Sequence, residues 1–195
     1  MKKIVLIVSC FSLTFAGDMG LSMYGGALIS NATVECEVGM ECNGLTSGSF
    51  GVQYNMQSVV VGVGVSIRGY GMSMEMLGME TKLGRGFTYL DLSAIYPYKL
   101  GPGNAWAGLG IGLNLAASET VDMSGSDDMC AMMECGETTT DLEDVPLDYG
   151  LLLGYTYPVN DNMGIYASYY MGLAEIEEGA TWSGIGLGIT YGLPF

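Results

Sequence analysis

The sequence predicts an all-β protein, an eight-stranded antiparallel up-and-down barrel that crosses a membrane. The most direct observation lies in residues 181–195, where from Gly184 onward odd positions carry large apolar or aromatic side chains and even positions carry mostly glycine. A period of two places these sets on opposite faces of a β-strand. The segment contains no charge, so its large apolar face suits lipid better than water.

Composition is the second observation. Of 195 residues, 49% are hydrophobic, only 14% are charged, and 31 are glycine, which indicates one domain with little polar surface. After the N-terminus no apolar run approaches the roughly 18–20 residues that a membrane-spanning helix needs. A closed β-barrel is the other structure that pairs every backbone group inside a bilayer.

The N-terminus has the pattern of an export signal. Lys2 and Lys3 precede an apolar stretch, residues 4–15, and Ala16 ends a plausible cleavage site. A lipoprotein signal at Cys10 is an alternative, but it would leave a very short apolar stretch. We therefore predict a signal peptide at 1–16 and a barrel domain at 17–195.

Removal of the signal peptide leaves four cysteines and a strongly acidic chain. An even number of cysteines in an exported protein predicts two disulfides. Local pairs within two loops are favoured, and a cross-link between the loops is the alternative; the four are Cys36, Cys42, Cys130 and Cys135. The mature chain then contains four basic and 21 acidic residues, a net charge of 4 − 21 = −17. Because such a chain repels phosphate, nucleic acid is excluded as a partner.

The first four predicted strands alternate large and small residues, and they cover 21–30, 47–55, 58–74 and 83–96. In the third strand, odd positions from Val59 to Ile67 are valine or isoleucine, and they oppose glycine, serine and Arg68. In the fourth strand, Leu90 and Leu92 flank Asp91 on the opposite face. Arg68 and Asp91 are therefore predicted to point inward, away from lipid.

The last four predicted strands are almost free of charge, and they cover 105–117, 147–157, 163–174 and 181–195. Leucine and isoleucine at odd positions of the fifth strand oppose Trp106 and several glycines. Tyrosine and leucine alternate with smaller residues in the sixth and seventh strands. A water-soluble barrel would need polar outer faces, so this pattern favours a membrane barrel.

The connections between these strands alternate in kind, which is the third observation. The second, fourth and sixth connections are short and rich in Pro, Gly or Asn, whereas the others carry nearly all the acid and all four cysteines. This asymmetry is typical of a membrane barrel with short periplasmic turns and longer outside loops. We predict acidic extracellular loops at 31–45 and 118–146.

The signal sequence, the eight-strand pattern and the ending Leu187-x-Ile189-x-Tyr191-x-Leu193-x-Phe195 resemble the small outer-membrane β-barrel proteins of Gram-negative bacteria. That group includes OmpA-like, OmpX-like and opacity-type porin-family barrels. The resemblance implies an outer-membrane location, with membrane lipid and the outer-membrane assembly machinery as partners. It also implies that Tyr191 and Phe195 carry the assembly signal; the alternative is that they are only aromatic residues at the membrane interface.

An eight-stranded barrel is just wide enough for side chains to fill its interior. We expect large inward side chains to lie over glycines of neighbouring strands, which gives a plugged interior. An antiparallel register centred between Met79 and Glu80 would place Arg68 opposite Asp91, so these two residues are predicted to form an ion pair inside the barrel. The large inward residues are Tyr89, Trp106, Tyr166 and Tyr170.

The residue inventory argues against catalysis. The chain has no histidine, so the Ser–His or Asp–His arrangement of barrel hydrolases is absent. The acidic residues at 122–128 could coordinate Ca²⁺, but acid-rich loops are usually just solvated. The methionines near Cys130 could hold Cu(I), but they are attributed to composition, and no metal or cofactor is predicted. The leading function is a structural or surface-interaction protein for adhesion or envelope integrity, with a host or cell-surface ligand. The alternative is a narrow porin-like channel for small solutes or cations.

Overall fold

The computed structural model describes residues 20–33, 40–56, 58–76, 78–126, 130, 135–142, 145–177 and 179–193. Within these ranges no helix is long and apolar enough to cross a bilayer. The predicted signal peptide, 1–16, lies outside them. The strands are β1 (Leu21–Ala32), β2 (Met40–Met56), β3 (Val59–Met76), β4 (Met79–Leu100), β5 (Gly103–Ser124), β6 (Gly136–Asp141), β7 (Asp148–Pro158), β8 (Met163–Glu177) and β9 (Ala180–Gly192).

The strands close into an antiparallel up-and-down barrel. Consecutive strands pair with each other except β6 and β7, and β1 pairs with β9 to close the ring. Strands β6 and β7 both pair with β5, β6 along 118–123 and β7 along 104–112, so together they form one interrupted wall strand. The wall therefore has eight positions, and the predicted eight-stranded barrel is confirmed.

The interruption between β6 and β7 has a local cause. Pro146 has no backbone N–H and cannot continue a ladder. On the facing strand, Leu115 is left without a cross-strand partner where the register with β4 shifts, which marks a β-bulge. The chain between the two strands is fixed by the amide of Leu142, which donates to the carbonyl of Ala117 at 2.9 Å. Leu142 and Val145 then pack against the buried core.

The outer face of the barrel is apolar, as the alternation predicts. On β9, Ile185, Leu187 and Ile189 are each 54–59% exposed. Such an extensive apolar surface is stable against lipid and would aggregate in water. Tyrosines gather at the barrel end that carries the short connections, as in an interfacial aromatic belt; the exposed ones there are Tyr96, Tyr98, Tyr157 and Tyr191.

The strands at the other end run further than the sequence predicts. Strands β4 and β5 have 22 residues each, about twice the roughly 9–11 that cross a bilayer. Much of the segment predicted as loop 118–146 is paired strand, as is the part of 31–45 from residue 40 onward. The β3–β4 and β8–β9 connections are two residues long, with Gly78 and Gly179 at positive φ. Extended hairpins therefore replace many of the expected loops.

The barrel interior as candidate functional site

Three charged side chains, Arg68, Asp91 and Asp148, are in contact inside the barrel, and we call them the inner ion cluster. The Arg68 guanidinium contacts Asp91 through Nη2 and Asp148 through Nη1. Arg68 is 7% exposed and Asp148 is fully buried. The hydroxyl of Tyr170 donates to Asp148 Oδ2 at 2.7 Å, and the guanidinium carbon lies 4.7 Å from the ring centroids of both Tyr170 and Tyr89. Arg68 is thus held by two carboxylates and two aromatic faces.

The structure brings Arg68 and Asp91 together, although the register predicted for them is wrong. The β3–β4 hairpin turns at Gly78, so Arg68 is cross-strand from Phe87 and Asp91 is cross-strand from Gly64. The long Arg68 side chain bridges the four-residue offset along the barrel axis. Asp148, which the sequence analysis missed, completes the cluster from β7, where it lies cross-strand from Gly112, the same β5 residue that pairs with Asp91. Its only sequence signal is an acidic residue at the start of an otherwise uncharged strand.

Four aromatic rings fill the barrel section next to the inner ion cluster, and we call Tyr70, Phe87, Tyr89 and Trp182 the aromatic layer. None of the four is more than 3% exposed. Trp182 packs edge-on against Phe87 with ring centroids 5.3 Å apart, and its Nε1 donates to the Tyr89 hydroxyl at 3.2 Å. The four rings therefore fill the barrel section at this level, and Trp182 also borders a cavity in the barrel interior.

A second set of charges lies on the hairpin side of the aromatic layer, and we call Arg85, Glu119 and Glu177 the outer ion cluster. Arg85 Nε donates to Glu119 Oε2 at 2.6 Å, and Arg85 Nη1 contacts Glu177 Oε1. Tyr70 joins this cluster to the aromatic layer, because its hydroxyl donates to Glu177 Oε1 at 2.8 Å. All three charged side chains are partly exposed. Sequence reasoning predicted none of these contacts.

A cavity of about 450 Å³ occupies the interior on the other side of the inner ion cluster. It extends toward the short connections, where Asn55, Pro97 and Asn104 lie at strand ends. The predicted plug therefore fills only part of the barrel. The wall is rich in hydroxyl, amide and aromatic side chains, and Arg68 and Asp91 lie at its closed end; it includes Tyr24, Gln53, Ser93, Trp106, Tyr166 and Ser168.

Glycines make room for the aromatic rings around this cavity. A Cβ added at Gly154 would overlap the indole of Trp106, and one added at Gly188 would overlap the ring of Tyr166. The indole is further fixed by its Nε1, which donates to Thr156 Oγ1 at 3.1 Å. The expectation that large inward side chains lie over glycines of neighbouring strands is confirmed.

The remaining predicted site residues are the four cysteines, Tyr191 and Phe195. Cys130 and Cys135 form a disulfide. Cys36 lies outside the described residues, so its pairing with Cys42 stays a prediction. Tyr191 faces outward on β9, whereas Phe195 lies outside the described residues. In the described part of the chain, no three His, Cys, Asp or Glu side chains are grouped as metal ligands would be.

Solved outer-membrane barrels share this architecture. Neisserial surface protein A aligns with a TM-score of 0.51 and 15% identity, over 90% of this chain and 97% of that one. The attachment invasion locus protein (Ail) of Yersinia pestis aligns with a TM-score of 0.51 and 10% identity, over 91% of this chain and 100% of that one. Ail has also been solved with the heparin analogue sucrose octasulfate, and that structure aligns with a TM-score of 0.50.

No protein-family model matches the sequence, and no curated relative is similar to it in sequence. The likeness is therefore one of fold. The fold is that of the small eight-stranded outer-membrane β-barrels of Gram-negative bacteria, which confirms the type of protein that the sequence resembles.

Proposed function

We propose that this chain is a structural and surface-interaction protein of the outer membrane, which anchors acidic hairpins outside the cell and does not conduct through its interior. The aromatic layer carries this proposal. An ion crossing the barrel would have to displace Trp182, Phe87 and two tyrosines, and it would lose its hydration between apolar rings. The ion clusters on both sides add fixed contacts that hold this section closed.

Surface interaction is supported by the shape and charge of the hairpin end. Strands β3, β4 and β5 continue as paired sheet well past the length needed to cross a bilayer, so they present fixed surfaces. Their tips carry acids such as Glu75, Glu80 and Asp122, while Lys82 is exposed beside them. A basic patch on a host or cell-surface partner fits this surface. A polyanion such as the sucrose octasulfate bound by Ail does not, because like charges repel.

Planar-bilayer recording on the purified, refolded protein tests the closed interior. We expect no discrete conductance steps, while heat-modifiable mobility on a gel shows that the same sample is folded. Regular single-channel steps from the unmodified chain would contradict the proposal.

The orientation of the hairpins is tested with the two lysines that the structure places at opposite ends of the barrel. Lys82 lies on the β3–β4 hairpin, and Lys99 lies beside the short turn at Gly101. A membrane-impermeant amine reagent added to intact cells is expected to label Lys82 and not Lys99, and both in lysed cells. Peptide mapping reads the result, and Lys82→Arg is the control. Labelling of Lys99 alone in intact cells would reverse the orientation.

A narrow channel is the second candidate, and the cavity of about 450 Å³ favours it. The cavity supplies the part of a pathway next to the short connections, and the inner ion cluster lies where a constriction would be. The same bilayer recording separates the two functions, because a channel requires the aromatic layer to open.

A further inference from the structure

With both carboxylates ionised, the inner ion cluster carries one more negative charge than positive charge. Arg68 supplies one guanidinium, whereas Asp91 and Asp148 supply two carboxylates. Among the described residues no second cationic side chain bonds to either carboxylate, and the buried Oδ1 of Asp148 has no hydrogen-bond partner. An uncompensated charge is costly away from water. The cluster is therefore one positive charge short.

Asp91 is the carboxylate that a ligand can reach. Its side chain is 22% exposed and lines the cavity, whereas Asp148 is fully buried behind it. The hydroxyl end of Tyr24 lies against Gly64, and Gly64 is directly cross-strand from Asp91. An aromatic side chain thus stands beside the accessible carboxylate at the closed end of the cavity.

The cavity walls suit an organic molecule better than a bare ion. Tyr24, Trp106 and Tyr166 present aromatic surface, which attracts ammonium groups. The side chains of Gln53 and Ser93 also line the cavity, and neither makes a hydrogen bond to another described residue. The volume of about 450 Å³ falls within the roughly 300–1,000 Å³ range of small-molecule sites.

We propose that this cavity binds a small organic cation, an alkylammonium or hydroxyalkylammonium compound whose positive charge lies against Asp91. The ligand supplies the missing positive charge and its carbon groups contact the aromatic rings. Its hydroxyl group, where present, hydrogen-bonds to the side chains of Gln53 and Ser93. Anions are excluded by the net charge of the cluster, and uncharged analogues lack the counter-charge. The site is reached from the end with the short connections, so binding does not depend on whether the barrel conducts.

Choline chloride is the probe, titrated into the refolded protein in detergent micelles. Both tryptophans of the chain, Trp106 and Trp182, line the cavity, so their fluorescence reports its occupancy directly. We expect a saturable change with a dissociation constant of about 1 mM or tighter. No saturable change would overturn the proposal, because the cluster would then obtain its missing charge in another way, such as a bound proton.

Two further titrations test the chemical class. The compound 3,3-dimethylbutan-1-ol, the uncharged carbon analogue of choline, is expected to give no saturable change in fluorescence at the same concentrations. Sodium chloride at matched ionic strength is also expected to give none. A saturable response to sodium chloride equal to that of choline would overturn the assignment of an organic cation.

A pair of charge variants locates the site. Asp91→Asn removes the excess charge while Arg68 and Asp148 remain paired, and we expect choline to bind at least about tenfold more weakly. Glu119→Gln is the matched control, because it removes one carboxylate from the outer ion cluster across the aromatic layer. Equal effects of the two variants would overturn the proposal.

A pair of volume variants keeps the test informative if Asp91→Asn fails to fold. Ser93→Phe places a ring in the cavity and is expected to abolish the saturable change. Ala94→Phe, at the next residue, adds the same ring on the exposed outer face and is expected to leave binding unchanged. Unchanged choline binding by a folded Ser93→Phe protein would place the ligand elsewhere.

Discussion

Removal of the Arg68 charge should lower the free energy of unfolding of the barrel more than removal of any other single charge. Arg68→Met leaves Asp91 and Asp148 facing each other, and only Tyr170 still donates to Asp148. Breaking a buried ion pair by removing one partner costs about 3–5 kcal/mol. The lost contacts with the faces of Tyr89 and Tyr170 add to this cost. We expect the free energy of unfolding to fall by at least about 3 kcal/mol.

The assay is urea unfolding of the protein in lipid vesicles, followed by tryptophan fluorescence. With a slope of about 1–3 kcal/mol per M, the midpoint should fall by about 1 M or more. Arg85→Met is the matched control, because the outer ion cluster is partly exposed and such pairs contribute about 1 kcal/mol or less. Adding Asp91→Asn and Asp148→Asn to Arg68→Met should recover most of the loss. If Arg68→Met costs no more than Arg85→Met, the account of the inner ion cluster is wrong.

Three further changes test the packing and the outer tip. Trp182→Ala should lower the free energy of unfolding by about 3–5 kcal/mol and, by opening the aromatic layer, produce conductance steps in planar bilayers that the parent lacks. Gly154→Ala, which overlaps an indole and a backbone carbonyl, should cost about 1–3 kcal/mol in urea unfolding, whereas Gly84→Ala, which points into open space, should change stability by less than about 0.5 kcal/mol. Reduction of the Cys130–Cys135 disulfide should leave heat-modifiable gel mobility unchanged, because the bond closes only a short segment between β5 and β6. A barrel that loses its folded mobility on reduction would show that this tip supports the wall.

The fold was predictable because each wall residue faces either the lipid or the barrel interior. In residues 184–195 the large side chains stand at odd positions and the small ones at even positions, so their faces follow from the two-residue period. The same alternation correctly placed Tyr89, Trp106 and Tyr170 inside. Trp182 lies at an even position of β9 and is buried inside with the small residues of that face.

The contacts inside the barrel were less predictable because strand periodicity does not determine register. A slip of one residue exchanges the two faces, whereas a slip of an even number leaves every side chain on its own face. The predicted β3–β4 register differs from the observed one by four residues, and the pattern of inward and outward residues is the same in both. The observed register instead follows from the tight turn at Gly78.

A lipid-facing barrel with a crowded interior can be read from the residue pattern alone, because the cost of placing charge in lipid acts on every strand separately. Which interior groups meet is known only from the folded barrel. Asp148 reaches Arg68 from 80 residues away, and Trp182 reaches Tyr89 from 93 residues away. Such pairs depend on the closure of the ring and on the stagger of all its strands at once. For the same reason, the division of the interior into a sealed section and a cavity exists only in the folded barrel.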